Sequence, residues 1–114
     1  MRETFHLVPA ALWVAADPDV PYQAASLADE GFVHCTDGAL ELLATANRYY
    51  RLDPRDFVVL TVDLEAAGSP WSVEDPGAIY PHIFGPIERA AILAVARLER
   101  APNGAFTAIS ASPR

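Results

Sequence analysis

The alternation of apolar and polar positions divides the chain into short elements. Residues 4–8, Thr-Phe-His-Leu-Val, are a short β-rich run that stops at Pro9. Proline suits the first turn of a helix, where its missing N–H would be unpaired anyway. A short helix is therefore expected over 10–16, with Leu12 and Trp13 as its bulky apolar residues. Asp17-Pro18-Asp19 ends it, because a residue before proline avoids the α region. Ser26-Leu27-Ala28-Asp29 has the spacing of a capping box, and Gly31 is a natural helix stop, so a single helical turn is expected there. Phe32-Val33-His34-Cys35 reads as a strand with Phe32 and His34 on one face and Val33 and Cys35 on the other.

Thr36 or Asp37 is placed to cap a helix over 38–51. Its apolar stripe is Ala39, Leu42, Leu43, Ala46, Tyr49 and Tyr50, at helical spacing. Residues 57–64 form the clearest strand, a run of β-formers broken toward its end by Thr61 and Asp63. Residues 68–77 read as a turn-rich loop holding Trp71 and Glu74. Residues 79–84 read as extended and broken by Pro81, with a sharp turn at Gly85-Pro86. Residues 90–99 fit either a helix or a buried strand, which periodicity alone does not separate. The expected architecture is α+β: one domain over 1–100 with a small, largely antiparallel sheet and flanking helices, and a flexible tail over 101–114.

Composition narrows the classes. A chain of 114 residues holds one domain, and 52% apolar with 20% charged residues marks it as globular. The net charge of −7 argues against broad binding to a nucleic-acid backbone or an anionic membrane. The single cysteine, Cys35, excludes an internal disulfide framework and a cysteine-cluster zinc site. The N-terminus has no signal-peptide pattern, and no apolar stretch approaches the roughly 20 residues of a spanning helix. A cytoplasmic location is the default expectation.

The three histidines, His6, His34 and His82, are each embedded in apolar sequence. Imidazole in such surroundings loses solvation, so it needs a partner or a role. Read singly, each is a strand-edge residue; together they mark a candidate pocket. A three-histidine metal site is one alternative, but no local ligand motif supports it and no metal is predicted. Cys35 is adjacent to His34 and so points to the opposite strand face, which disfavours a nucleophile–base pair. Thr36 fits a helix cap or a ligand contact. Asn47 and Arg51 lie one turn apart on a helix face, and Tyr49 or Tyr50 is placed either in the core or against a planar ligand. Glu74 is a candidate acid, base or ribose ligand. Neither a glycine-rich phosphate loop nor a Ser-His-Asp signature is present.

Five blocks, Phe5-His6-Leu7-Val8-Pro9, Ser26-Leu27, Glu30-Gly31-Phe32-Val33-His34-Cys35-Thr36, Ala46-Asn47-Arg48-Tyr49-Tyr50 and Pro81-His82-Ile83-Phe84-Gly85-Pro86, occur in order. In them the chain resembles a small bacterial family, domain of unknown function 952, from about Phe5 to about Glu99. That family is similar in fold to the ADP-ribosyltransferases, which bind NAD in a cleft of a split antiparallel sheet. The resemblance implies such a sheet here, with His6 gripping a ribose, His34 beside the nicotinamide or base, and Tyr50 stacking. It implies ligand contacts among Ser26, Thr36, Asn47, Tyr50, Arg51 and Gly85. The transferases often place a glutamate on a late strand to stabilise positive charge at the anomeric carbon. This sequence departs there, and Glu74 and His82 are the nearest candidates.

These readings give an expected function as an ADP-ribosyltransferase-like protein that binds or processes NAD or an ADP-ribose-like nucleotide through a His6/His34 cleft. A non-catalytic nucleotide-binding module and a three-histidine metal protein are the alternatives. NAD would serve as substrate rather than as a resident cofactor.

Overall fold

The computed structural model describes residues 1–74 and 77–110. In chain order the elements are strand β1 (Glu3–Pro9), helices α1 (Ala10–Ala15) and α2 (Ala25–Glu30), strand β2 (Val33–His34), helix α3 (Ala39–Tyr50), and strands β3 (Phe57–Asp63), β4 (Trp71–Ser72), β5 (His82–Ile83), β6 (Ile92–Arg100) and β7 (Phe106–Ser110). The result is a mixed α+β architecture with two antiparallel sheets and a few short helices. One sheet runs β1-β3-β6-β7 and the other β2-β5-β4.

β3 is central in the larger sheet, and both of its faces are covered. Val58, Leu60 and Val62 point one way, into a core shared with Val8, Tyr22, Val33, Ile83 and Ile87. Phe57 points the other way, onto Ala46, Leu43 and Tyr50 of α3 and onto Phe106. A strand covered on both sides must be apolar at every position, which is why 57–60 read as an unbroken run. β1 has one neighbour in its sheet and alternates instead, burying Thr4, His6 and Val8 on the side of the larger core. Each buried Val, Leu or Ile of these cores contributes roughly 1.5–3 kcal/mol.

Several expectations need correction. Ser26 does not cap α2: Ala24 holds the cap position with no side-chain bond, and Ser26 lies inside the helix. The stop at Gly31 is as expected, with φ of 85° and its N–H bonded to the carbonyls of Leu27 and Ser26. That left-handed turn favours glycine because it has no Cβ to clash. Neither Thr36 nor Asp37 caps α3, whose cap position is Gly38. Thr36 is held instead by a backbone bridge to Phe5 of β1, and Asp37 by the guanidinium of Arg2, the residue before that strand.

Residues 92–100 are strand, because alignment against β3 satisfies the backbone of a segment whose alanines suit a helix equally well. The loop expected over 68–77 contains the short strand β4, paired with β5. The flexible tail expected from 101 does not hold over 106–110, which form β7 and pair with β6 from Arg97 opposite Ser110 to Arg100 opposite Phe106. The turn between them needs Gly104 at φ of 92°, where a Cβ would sit 2.7 Å from the carbonyl oxygen of Arg51. The last four residues of that expectation, 111–114, lie outside the described residues. Among the described residues no helix is long and apolar enough to cross a membrane.

Candidate functional site

The site forms where the two sheets part. β1 and the segment after β2 meet at one antiparallel bridge, with Phe5 N–H donating to Thr36 O at 3.0 Å and Thr36 N–H donating to Phe5 O at 2.8 Å. The Arg2 guanidinium closes that end with a two-pronged bond to Asp37, at 2.8 and 3.0 Å. Continued pairing would set Leu7 against His34. Among the described residues, no backbone bond joins the strands there. They diverge, and a wedge opens between the sheets.

The side chain of His6 takes the place of the missing backbone partner. Its Nδ1 lies 2.7 Å from the carbonyl oxygen of His34. A carbonyl only accepts, so Nδ1 carries the proton and Nε2 is left as an acceptor. The Tyr22 hydroxyl, 3.4 Å away, is the donor facing Nε2. Burial pushes the His6 pKa down to about 4, outweighing the carbonyl bond that favours the charged ring. His6 is therefore a neutral imidazole of one tautomer at neutral pH. Burial likewise pushes the Tyr22 hydroxyl up to about 12, so it remains a donor.

On the opposite wall, His34 and His82 face each other across the β2–β5 pair. Their ring centroids are 5.8 Å apart. Phe32 stacks on His82 at 4.0 Å and 16° between planes, and packs against His34 at 4.7 Å. The His34 Nε2 meets the Glu30 carboxylate of α2 at 3.1 Å.

His6, Tyr22, Glu30, His34 and His82 line one cavity of about 950 Å³. His6, His34 and His82 all reach it, as do Ser26, Thr36 and Tyr50. The sequence-based expectation that His6 and His34 share a cleft is met in placement. Thr45, Arg48 and Tyr49 of α3 form the wall beside Tyr50. Tyr50 divides its ring between cavity and core, where it lies 5.1 Å from Phe57.

Of the remaining candidates, Glu74, Asn47, Arg51 and Gly85 are elsewhere. Glu74 does not line the cavity; its carboxylate accepts the Ser72 hydroxyl at 3.0 Å. Asn47 turns away and holds the backbone of Phe106 at both ends, donating to its carbonyl at 3.0 Å and accepting from its N–H at 2.7 Å. Arg51 is the C-cap residue of α3, with its carbonyl against Gly104. Gly85 sits against Ser69, which leaves no room for a Cβ. Cys35 reaches the cavity, but burial and the nearby Asp37 charge push its thiol up to about 12, so it is no thiolate at neutral pH.

Sequence reasoning missed Tyr22, Glu30, Arg48 and Tyr80, all on the cavity wall. Tyr22 lies in a segment without periodicity, and only its bridge to Ile87 places it. Glu30 ends α2 and meets His34 of β2 only because the chain turns at Gly31 between them, which no helical period signals. Among the described residues, no group of three or more His, Cys, Asp or Glu side chains is placed to hold a metal ion. The Nδ1 proton of His6, committed to a carbonyl, removes one nitrogen from any such set.

The fold recurs in solved structures. A crystal structure of protein CC0527 from Caulobacter crescentus is similar to this chain at a TM-score of 0.73 and 24% identity, covering 92% of this chain and 93% of that one. The solution structure of CC0527 is similar at 0.68 and 22% identity, covering 94% and 93%. No curated protein matches the chain. The family model described as "Protein of unknown function (DUF952)" matches residues 7–95, a span that includes the end of β1, helices α1 to α3 and the start of β6. The chain belongs to that family.

Proposed function

We propose that the wedge between the sheets binds a nucleotide of the NAD or ADP-ribose type, as an ADP-ribosyltransferase-like split sheet would. One observation carries this reading: His6 of the larger sheet and His34 of the smaller line a single cavity at the seam. The neutral His6 accepts through Nε2, and a ribose hydroxyl donating there would replace the long 3.4 Å bond from the Tyr22 hydroxyl. The exposed faces of His34, Tyr49 and Tyr50 offer rings for a base or nicotinamide. A cavity of about 950 Å³ is at the upper end of small-molecule sites and has room for a dinucleotide.

Binding is the function this geometry favours over turnover. Cleaving the nicotinamide–ribose bond develops positive charge, which a preorganised carboxylate stabilises. Glu74 is outside the cavity, and Glu30, the carboxylate on its wall, is bonded to His34.

Calorimetric titration with NAD and with ADP-ribose tests the reading, with nicotinamide release measured beside it. The expected result is binding, weakened about ten- to hundredfold in His34→Ala, where a ring contact and a polar partner are lost. Nicotinamide release that is lost in Glu30→Gln would assign turnover as well. Folded protein that binds neither nucleotide at millimolar concentration would overturn the reading.

A further inference from the structure

We propose that Arg48 is the phosphate-binding residue of the cavity, so that its ligand is a phosphate ester or diphosphate rather than a neutral nucleoside. The inference rests on the nucleotide reading for the identity of the whole ligand, but its own basis is the charge pattern of the cavity wall.

Two guanidinium groups line the cavity, those of Arg48 and Arg55. Arg55 is committed to Asp53, at 2.7 Å between Nη2 and Oδ2, and lies over the Phe57 ring. Arg48 makes no ion pair with any carboxylate among the described residues. In a chain of net charge −7, a cavity-facing cation left without a carboxylate is an unusual placement. It offers a fork of N–H donors to an incoming anion.

The surroundings of Arg48 suit that anion. Its guanidinium carbon lies 5.7 Å from the centre of the Tyr49 ring. The hydroxyls of Tyr80 and then Tyr49 hold its pKa above the ordinary arginine value. Both are hydroxyls rather than carboxylates, so neither pairs the guanidinium with an acid, and a phosphate oxygen can accept from either. Thr45, one turn earlier on α3 and on the same wall, has a buried hydroxyl with no hydrogen-bond partner among the described residues.

This anion-binding end lies at a useful distance from the histidines. Cys35 N–H donates to Pro81 O at 3.0 Å and Asp37 N–H to Ile79 O at 2.7 Å, so the β2–β5 pairing continues toward Tyr80. Tyr80 and His82 are two residues apart and share a strand face, about 7 Å from each other. A ribose held at the histidines would therefore place its 5′-phosphate group toward Arg48.

The test compares ADP-ribose and inorganic pyrophosphate on wild type, Arg48→Met and Arg48→Lys. Arg48 is exposed, so both variants are expected to melt at the wild-type temperature. Arg48→Met should weaken ADP-ribose about ten- to hundredfold and abolish pyrophosphate binding, with Arg48→Lys intermediate. Unchanged ADP-ribose affinity in Arg48→Met would overturn the inference and leave the nucleotide reading standing. Pyrophosphate binding that depends on Arg48, in a protein that binds no nucleotide, would uphold the anion site and overturn the nucleotide reading. Absence of both ADP-ribose and pyrophosphate binding in folded wild type would overturn both.

Discussion

The Nδ1 atom of His6 donates to the carbonyl oxygen of His34 across 2.7 Å, joining a side chain of one sheet to the backbone of the other. Had β1 and β2 kept pairing beyond Phe5 and Thr36, that carbonyl would have met a backbone N–H and the sheets would have merged. The imidazole satisfies the carbonyl while letting the strands diverge. One residue thus helps to define the cleft and turns its remaining nitrogen to the Tyr22 hydroxyl on the cleft wall.

The buried state of His6 makes stability depend on pH. Its pKa is about 4 in the folded chain, against 6.5 for an ordinary histidine. Between these values the unfolded chain binds more protons, so stability is greatest above pH 6.5 and falls as pH drops toward 4. The loss from this group over that window is roughly 3 kcal/mol. Urea denaturation of wild type and His6→Leu from pH 7.5 to 4 should show a shallower decline in the variant. Parallel slopes would refute the assignment.

Asn47 is expected to matter for stability and not for ligand. Asn47→Ala leaves both backbone polar groups of the buried Phe106 without their partner and should cost about 1–3 kcal/mol. Its affinity for ADP-ribose should equal that of wild type. A selective loss of affinity at unchanged stability would return Asn47 to the site.

Gly104→Ala combines a positive φ with a Cβ pressed on the Arg51 carbonyl. The conformational cost alone is about 1–2 kcal/mol, and the contact adds to it. Hydrogen exchange should become faster in β6 and β7 than in β2 and β5. Uniform exchange rates would show that the hairpin closes without this turn.

Phe32→Ala removes the ring stacked on His82 and should cost about 0.5–1.5 kcal/mol beyond the lost burial. The His82 ring should broaden or shift in NMR spectra, with the His6 resonances unmoved. Matching changes at His6 would mean that the two cavity walls are coupled more tightly than the divergence of the strands implies.

Local patterning was enough for much of the chain. The strands around His6 and Phe57, the helix bearing Leu42 and Ala46, and the stop at Gly31 follow from period and backbone preference, which neighbours in sequence determine. The strand identity of 92–100 was not legible, because a short run of alanines and branched residues satisfies both periods until β3 supplies partners. β7 was missed because Phe106–Ser110 holds its place through β6 and the Asn47 carboxamide, both distant in sequence. For the same reason Asn47 read as a ligand contact when its hydrogen bonds go to backbone.

The three histidines stood out as site candidates from sequence, since imidazole among apolar neighbours needs a partner. Their meeting at one cavity, the tautomer of His6, and the exclusion of Glu74 were decided by tertiary structure. Those outcomes depend on where β1 and β2 stop pairing, and strand divergence is set by packing between segments that no local pattern relates.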